Sequence, residues 1–177
     1  MAGFEHNLKG EIERAMPDQT YLLRHAAVED QQFLFSLYAR GRAKEVAAWG
    51  WNAVQQEMFL RLQFNAQQRW YEVAYQGAEH NVVLCEGKPV GQLLVLRKDR
   101  EILLVDIAIM PEYQNRGLGT KLLQALIAES EDRTLPVRLQ VQHTNPAKHL
   151  YERLGFSETS KDDVYSQMER QPVQCRS

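Results

Sequence analysis

Apolar positions change period several times along this chain, and each change marks an element. Residues 1–18 mix charges with scattered apolar positions, and Pro17 ends any helix they begin. Thr20-Tyr21-Leu22-Leu23-Arg24 predicts a short first strand. Val28-Glu29-Asp30 predicts the opening of a helix whose apolar positions Phe33, Leu34, Leu37 and Tyr38 recur at three and four, with Gly41 as its stop. Residues 42–72 read as helical, with a break around Trp49-Gly50-Trp51-Asn52. After the break Val54, Met58, Leu62 and Ala66 form one stripe, with Phe59 and Trp70 near it, and residues 75–79 read as a linker.

Strand periods take over from Asn81. Asn81 to Cys85, Pro89 to Leu96 and Ile102 to Ile109 predict three strands joined by the polar turns at 86–89 and 97–100, an antiparallel meander. The third, Ile-Leu-Leu-Val-Asp-Ile-Ala-Ile, is apolar except for Asp106 and reads as a central strand buried on both faces. Pro111 ends it. Leu118, Leu122, Leu123, Leu126 and Ile127 predict a helix to about Ser130. Residues 137–142 alternate as a half-buried strand. A helix capped by Asn145, with Pro146 at its first position, runs to Gly155, and strands from Phe156 and from Val164 to Met168 close the pattern. The fold expected is α+β: a mixed, mostly antiparallel sheet of about seven strands flanked by helices. Its domain is placed at 19–170, between an N-terminal extension (1–18) and a C-terminal tail (171–177).

Composition narrows the function without choosing it. The chain has 177 residues, enough for one core without metal or disulfide staples. Its formal charge of −2 argues against a dedicated nucleic-acid binder but not against a small polyanion. No apolar stretch suggests a signal peptide or a membrane span. Two cysteines, Cys85 in an apolar run and Cys175 near the end, make no disulfide framework, so a reducing cytoplasm is the consistent address. His6, His25, His80, His143 and His149 have no metal-ligand spacing, and no metal is expected.

The candidate chemistry lies in Pro111-Glu112-Tyr113-Gln114-Asn115-Arg116-Gly117-Leu118-Gly119-Thr120, between a strand and a helix. Two glycines allow a tight turn, and the unpaired first-turn amides with the helix dipole seat phosphate oxygens; Arg116 adds a cation. A dinucleotide fingerprint would need a third glycine where Leu122 stands. A P-loop would need Gly-Lys where Thr120 separates Gly119 from Lys121. Gln114-Asn115-Arg116-Gly117-Leu118-Gly119 instead fits a Gln/Arg-x-x-Gly-x-Gly/Ala signature. With the later segment Asn145-Pro146-Ala147-Lys148-His149-Leu150-Tyr151-Glu152-Arg153-Leu154-Gly155-Phe156, the chain resembles the GCN5-related N-acetyltransferase (GNAT) superfamily over roughly residues 19–169.

That resemblance implies acetyl-CoA as cosubstrate and an amine as acceptor, without nucleic acid or membrane; dimers are common among similar proteins, which admits a homodimer. It assigns Gln114, Asn115, Arg116, Gly117, Leu118, Gly119 and Thr120 to the pyrophosphate. Backbone groups of Ile107, Ala108 and Ile109 would hold the pantetheine arm, provided that the strand splays from its parallel neighbour at 137–142. Asn145 would bond the cosubstrate besides capping its helix. Lys148 would reach the phosphates or stay solvated. Tyr151 would be the general acid, or an aromatic packed on the sheet. No base stands out: Asp106 is a candidate, against the reading of a carboxylate paired with an arginine or capping a backbone group; Glu112 reads as surface, and His143 as a base, a substrate contact or a solvated side chain. Arg40, Arg42, Lys44, Glu45, Trp49, Trp51 and Asn52 mark the acceptor zone, as pocket lining or as core. Neither cysteine lies near the motifs, which favours direct transfer over a covalent acetyl-enzyme. The residues leave open a non-catalytic coenzyme A-binding module, another acyl group or a hydroxyl acceptor, and a protein acceptor.

Overall fold

Polar turns at 86–87 and 98–101 fold three apolar runs back on each other, and the sheet grows outward from that meander. The computed structural model describes residues 21–173. The expected extension at 1–18, the strand start at Thr20, Cys175 and most of the tail lie outside them. Seven strands stand in the order β1-β2-β3-β4-β5-β7-β6. They are β1 (Leu22–His25), β2 (Glu79–Cys85), β3 (Lys88–Arg97), β4 (Ile102–Ile109), β5 (Val137–Gln142), β6 (Ser157–Lys161) and β7 (Tyr165–Arg170). All neighbours are antiparallel except β4 and β5. The parallel pair is joined by α3 (Leu118–Arg133), which packs Leu122, Leu123 and Leu126 on one face of the sheet. α4 (Ala147–Arg153) joins that core through Tyr151. The opposite face carries α1 (Gln31–Ala47) and α2 (Ala53–Ala74), whose own cluster is Leu34, Phe35, Val46, Leu60 and Phe64.

Four expectations need correction. Gly41 does not stop α1, which runs on to Ala47: a mid-helix glycine costs only about 1 kcal/mol, and Val46 beyond it is buried in the helical cluster. The stripe Val54, Met58, Leu62 is real but faces solvent, because Leu60 and Phe64, on another side of α2, pack inward. β4 is not buried on both faces; Ile102 and Leu104 are buried, while residues 105–109 are only partly so. α4 begins one residue later than expected, with Pro146 at its N-cap position. Asn145 still caps the turn, its Oδ1 accepting from the Ala147 amide at 2.9 Å.

Gly91 fixes how closely β3 approaches β4. A Cβ built there would lie 2.5 Å from the Ala108 carbonyl oxygen, and that obstacle is backbone. Gly91→Ala is therefore expected to destabilise the fold by about 1–3 kcal/mol, the range for overpacking, as a lowered Tm in thermal unfolding. An unchanged Tm would show that β4 gives way freely.

Candidate active site

The central feature is a break in the sheet. β4 and β5 pair only at Ile102–Val137, Leu103–Arg138 and Leu104–Leu139. Beyond Leu104 the two strands part, while β4 stays paired with β3 as far as Ile109. The divergence starts at a bulge: Leu94 stands opposite Asp106 and Val95 opposite Leu104, leaving Val105 without a partner. A bulge bends its strand and strengthens the local twist.

The bulge also reverses which residues face which side. Ile102 and Leu104 belong to the α3 core, and so do Ile107 and Ile109, three residues after Leu104 instead of two. Asp106 is thereby turned to the α1–α2 face, beside Leu94 and Gln92. The backbone follows the same count. The Met110 amide donates to the Val90 carbonyl at 2.8 Å, so alternate residues Ala108 and Asp106 also direct their backbone groups to β3. Ile107 and Ile109 point theirs into the gap, save the Ile107 amide, which turns to Asp106. Of the three residues assigned to the cosubstrate arm, Ala108 is thus spent on the sheet. Ile109 keeps its amide free, but its carbonyl accepts from Gln114 Nε2 at 2.7 Å.

At the mouth of the gap lies the glycine loop. Asn115 (φ 58°) and Gly117 (φ 82°) are both left-handed, which folds the loop over the start of α3. Among the described residues, the amides of 115–120 donate no hydrogen bond to the protein. Leu118 is buried, so it offers its amide and not its side chain. Arg116 is exposed, with its guanidinium 5.5 Å above the Tyr113 ring. The two glycines differ. Space around Gly117 is open but its φ is left-handed; Gly119 has ordinary φ, and a Cβ there would only touch Ile109 at 3.4 Å and Leu150 at 3.9 Å. Gly117→Ala is expected to cost about 1–2 kcal/mol and to weaken binding of coenzyme A, whereas Gly119→Ala keeps both stability and binding. Calorimetric titration of both variants checks this; equal losses would contradict it.

On α4, Tyr151 is buried in the α3-side core and edge-on to Phe156 at 5.8 Å between ring centroids. Its hydroxyl has no hydrogen-bond partner among the described residues. Burial, and secondarily the charge of Asp106, push the phenol up to about 12. Asp106 sits in a polar array on the α1–α2 side. Gln92 Nε2 donates to its Oδ2 at 2.6 Å, and Gln92 Oε1 meets His80 Nε2 at 3.1 Å. The Tyr71 phenol and the Ile107 amide are further partners of its carboxylate. Burial raises the Asp106 carboxyl above the usual range, against the opposing pull of Gln92, Tyr71, His80 and the Ile107 amide. Tyr71 is raised too, by burial first and then by the Asp106 charge. Among the described residues no arginine joins this array, and the partners that hold Asp106 are not those of the ion pair weighed for it. Tyr71 and His80 also line a cavity of about 380 Å³, with Gln68, Glu72 and Tyr75.

Other candidates are engaged elsewhere. Lys148 Nζ bonds Glu158 at 2.8 Å and Ser166 at 3.1 Å, and this holds Glu158 down to about 2. Glu112 pairs with Arg40 at 2.7 Å, tying α1 to the loop after β4. Arg42 donates to Gln63 at 2.9 Å. Lys44, Glu45 and His143 are exposed. Asn52 caps α2 through a reciprocal pair of 3.0 Å bonds with Gln55. Trp49 and Trp51 form an aromatic triangle with Phe59, with centroids 5.1–5.3 Å apart, and are 38% and 41% exposed, so they are not core. Cys85 is only partly buried, with its thiol raised by burial.

Sequence reasoning missed Tyr71, Gln92 and His80 as partners of Asp106. One signal was available: Gln92 is the single polar side chain inside Pro89–Leu96, as Asp106 is inside the next run.

Comparison with known proteins agrees with this fold. The model of the acetyltransferase (GNAT) family matches residues 42–156. The [ribosomal protein bS18]-alanine N-acetyltransferase of Haemophilus influenzae is 41% identical over 59 residues, 33% of this chain and 40% of that protein. Its Salmonella typhimurium counterpart is 45% identical over 62 residues, 34% of this chain and 42% of that protein. The match thus spans about two-fifths of the length of these curated relatives. Among solved structures, PaiA N-acetyltransferase from Thermoplasma acidophilum in complex with coenzyme A superposes with a TM-score of 0.64 at 18% identity, covering 86% of this chain and 99% of that one. The ribosomal-protein-S18-alanine N-acetyltransferase of Escherichia coli gives 0.59 at 23%, covering 88% and 96%.

Proposed function

This chain belongs to the acetyltransferase (GNAT) family, and on that premise we propose that it moves an acetyl group from acetyl-CoA to a primary amine by direct transfer in a ternary complex. The observation that carries the reading is the parting of β4 from β5 beyond Leu104, at whose mouth the amides of 115–120 stand without protein acceptors. Those amides suit a diphosphate, and the gap-facing Ile107 carbonyl and Ile109 amide suit an extended amide chain, the Ile107 amide being turned to Asp106 and the Ile109 carbonyl to Gln114. Gln114 contributes by bracing the loop through the Ile109 carbonyl, and Lys148, already paired with Glu158, stays out of the binding.

The cosubstrate supplies a thioester carbon open to attack by nitrogen. An ammonium acceptor with a pKa near 10 sheds two protons on becoming an amide. Asp106 takes the first, and its burial narrows the gap between its own proton affinity and that of the amine. Backbone N–H groups at the gap steady the negative charge that develops on the carbonyl oxygen. Tyr151 donates a hydrogen bond to the departing sulfur and passes it the second proton from nitrogen, so one proton is released per turnover. Partly buried and raised by burial, Cys85 is a poor acyl carrier.

A second reading takes the amine to be the N-terminus of a protein. The names of the relatives matched by sequence support it.

One assay separates the possibilities: thiol release from acetyl-CoA over a panel of small amines and peptides with free N-termini, alongside calorimetry with coenzyme A. Release with a small amine supports the first reading, and release only with peptides supports the second. Heat of binding without release across the panel points to a binding module, and no heat at all removes the enzyme assignment.

A further inference from the structure

The inward face of α2 changes character along its length. Leu60 and Phe64 pack into the helical cluster, and the positions that continue their face are Gln68, Tyr71 and Tyr75, with Glu72 at its rim. A helix face turned to its own fold is normally apolar to the end. Here the polar stretch lines the cavity of about 380 Å³ between the end of α2 and the start of α1, with His80 and Leu94 of the sheet as its floor. That volume lies within the range of pockets that hold small molecules. α1 and α2 are joined at their opposite ends, through residues 48–52, so roughly 25 Å of helix separates the cavity from that connection.

We infer that this cavity is a second binding site, separate from the gap between β4 and β5, and that it takes a small ammonium compound bearing a hydroxyl group. Charge selects the ammonium. Among the described residues no lysine or arginine lines the cavity, and Glu72 supplies a carboxylate. α2 ends at Ala74, which sets the negative pole of its dipole at the same rim. Arg24, two residues before the lining begins, is held by Asp30 through bonds of 2.8 and 2.9 Å. Tyr71 and Tyr75, with ring centroids 6.0 Å apart and planes tilted by 57°, add aromatic faces of the kind that attract a cation. Hydrogen bonding selects the hydroxyl. The Asp106 carboxylate accepts from Gln92 Nε2, so Gln92 Oε1 accepts from His80 Nε2, and Nδ1 of the neutral ring is left as an acceptor. Gln68 Nε2 is buried without a partner among the described residues, a donor whose desolvation nothing in the chain offsets. One hydroxyl serves both, accepting from Gln68 and donating to His80.

Calorimetric titration of the full chain with ethanolamine, aminobutanol and aminohexanol, in the absence of acetyl-CoA, tests this. At least one of them is expected to bind with a Kd of about 1 mM or tighter. Glu72→Gln, at an exposed position, should weaken that probe by about tenfold or more, the loss of a hydrogen bond to a charged group. Gln68→Met should weaken it by about five- to tenfold and leave the alkylamine of the same length unaffected. Both variants should fold with at least the wild-type Tm and keep their affinity for coenzyme A, so failure of this site and failure of the transfer reading are told apart. Absence of heat from every probe at about 10 mM overturns the proposal. So does a diol that binds as well as the amino alcohol of its length. Affinity unchanged in either variant overturns it too, by placing the probe elsewhere on the chain.

Discussion

Tyr151→Phe is expected to lower kcat by about 10²–10⁴-fold, the usual contribution of a positioned proton donor, while affinity for coenzyme A stays as it was. The substitution removes one oxygen and nothing else. The ring keeps its place against Phe156, and the lost hydroxyl has no hydrogen-bond partner among the described residues, so stability should hold. This separates the two readings of the residue. An aromatic packed on the sheet would make the variant indistinguishable from wild type in both Tm and turnover. A donor to sulfur would leave Tm alone and depress kcat. With its pKa pushed up to about 12, the phenol is protonated throughout the neutral range, so it is always competent to donate. It is also a weaker acid than a free thiol of pKa about 8.5, so full transfer to sulfur is uphill until nitrogen gives up its own proton. On the proposed mechanism Tyr151 relays a proton more than it supplies one, and its titration should cut no limb into the pH–rate profile between about pH 6 and 9. Unchanged turnover in Tyr151→Phe removes it from the mechanism.

What the sequence made legible follows from which physical signals are local. The glycine loop was readable because left-handed φ at Gly117 and unpaired first-turn amides are consequences of residues adjacent in sequence. β5 was readable because Val137, Leu139 and Val141 are buried and alternate with exposed neighbours. Gly155, at φ 88°, ends α4 as a glycine there should. The bulge at Val105 was not readable: in a run that is apolar at nearly every position, a slip of one residue leaves no trace in the pattern. That slip decides the site, because it turns Asp106 away from the α3 core and toward Gln92, His80 and Tyr71. The partners come from β2, β3 and α2, up to 35 positions away in sequence, and no local period links them. α2 misled for a related reason. Its outer stripe has the better spacing, but Leu60 and Phe64 meet Phe35, and tertiary contact overrules periodicity.

Asp106→Asn should lower kcat/KM by about 10²–10⁴-fold and at the same time make the protein more stable at pH 8. The two effects share one cause. Burial raises this carboxyl above its ordinary range, so the folded chain holds the proton more tightly than the unfolded chain does. Its contribution to stability is therefore fully present below the unfolded pKa and is lost as pH rises through the folded one. At pH 8, far above the ordinary carboxylate range, the unfolded chain carries a charge here that folding disfavours. An asparagine of the same shape has no charge to desolvate, and rotation of the Gln92 amide lets it accept a hydrogen bond from the new side chain in place of donating one. The stability gain should fade as pH falls, because the wild-type carboxyl then protonates. Activity moves the opposite way: wild-type kcat/KM should climb with pH through the raised pKa, and that limb should vanish in Asp106→Asn. Thermal unfolding at pH 8 and pH 5, set beside pH–rate profiles, reads both. A variant equally active and equally stable would show that Asp106 carries neither the proton nor the strain. A variant that is less stable and less active would reduce Asp106 to a structural tie between β3, β4 and α2. Gain of stability with loss of activity is the signature of a group held at energetic cost for its chemistry.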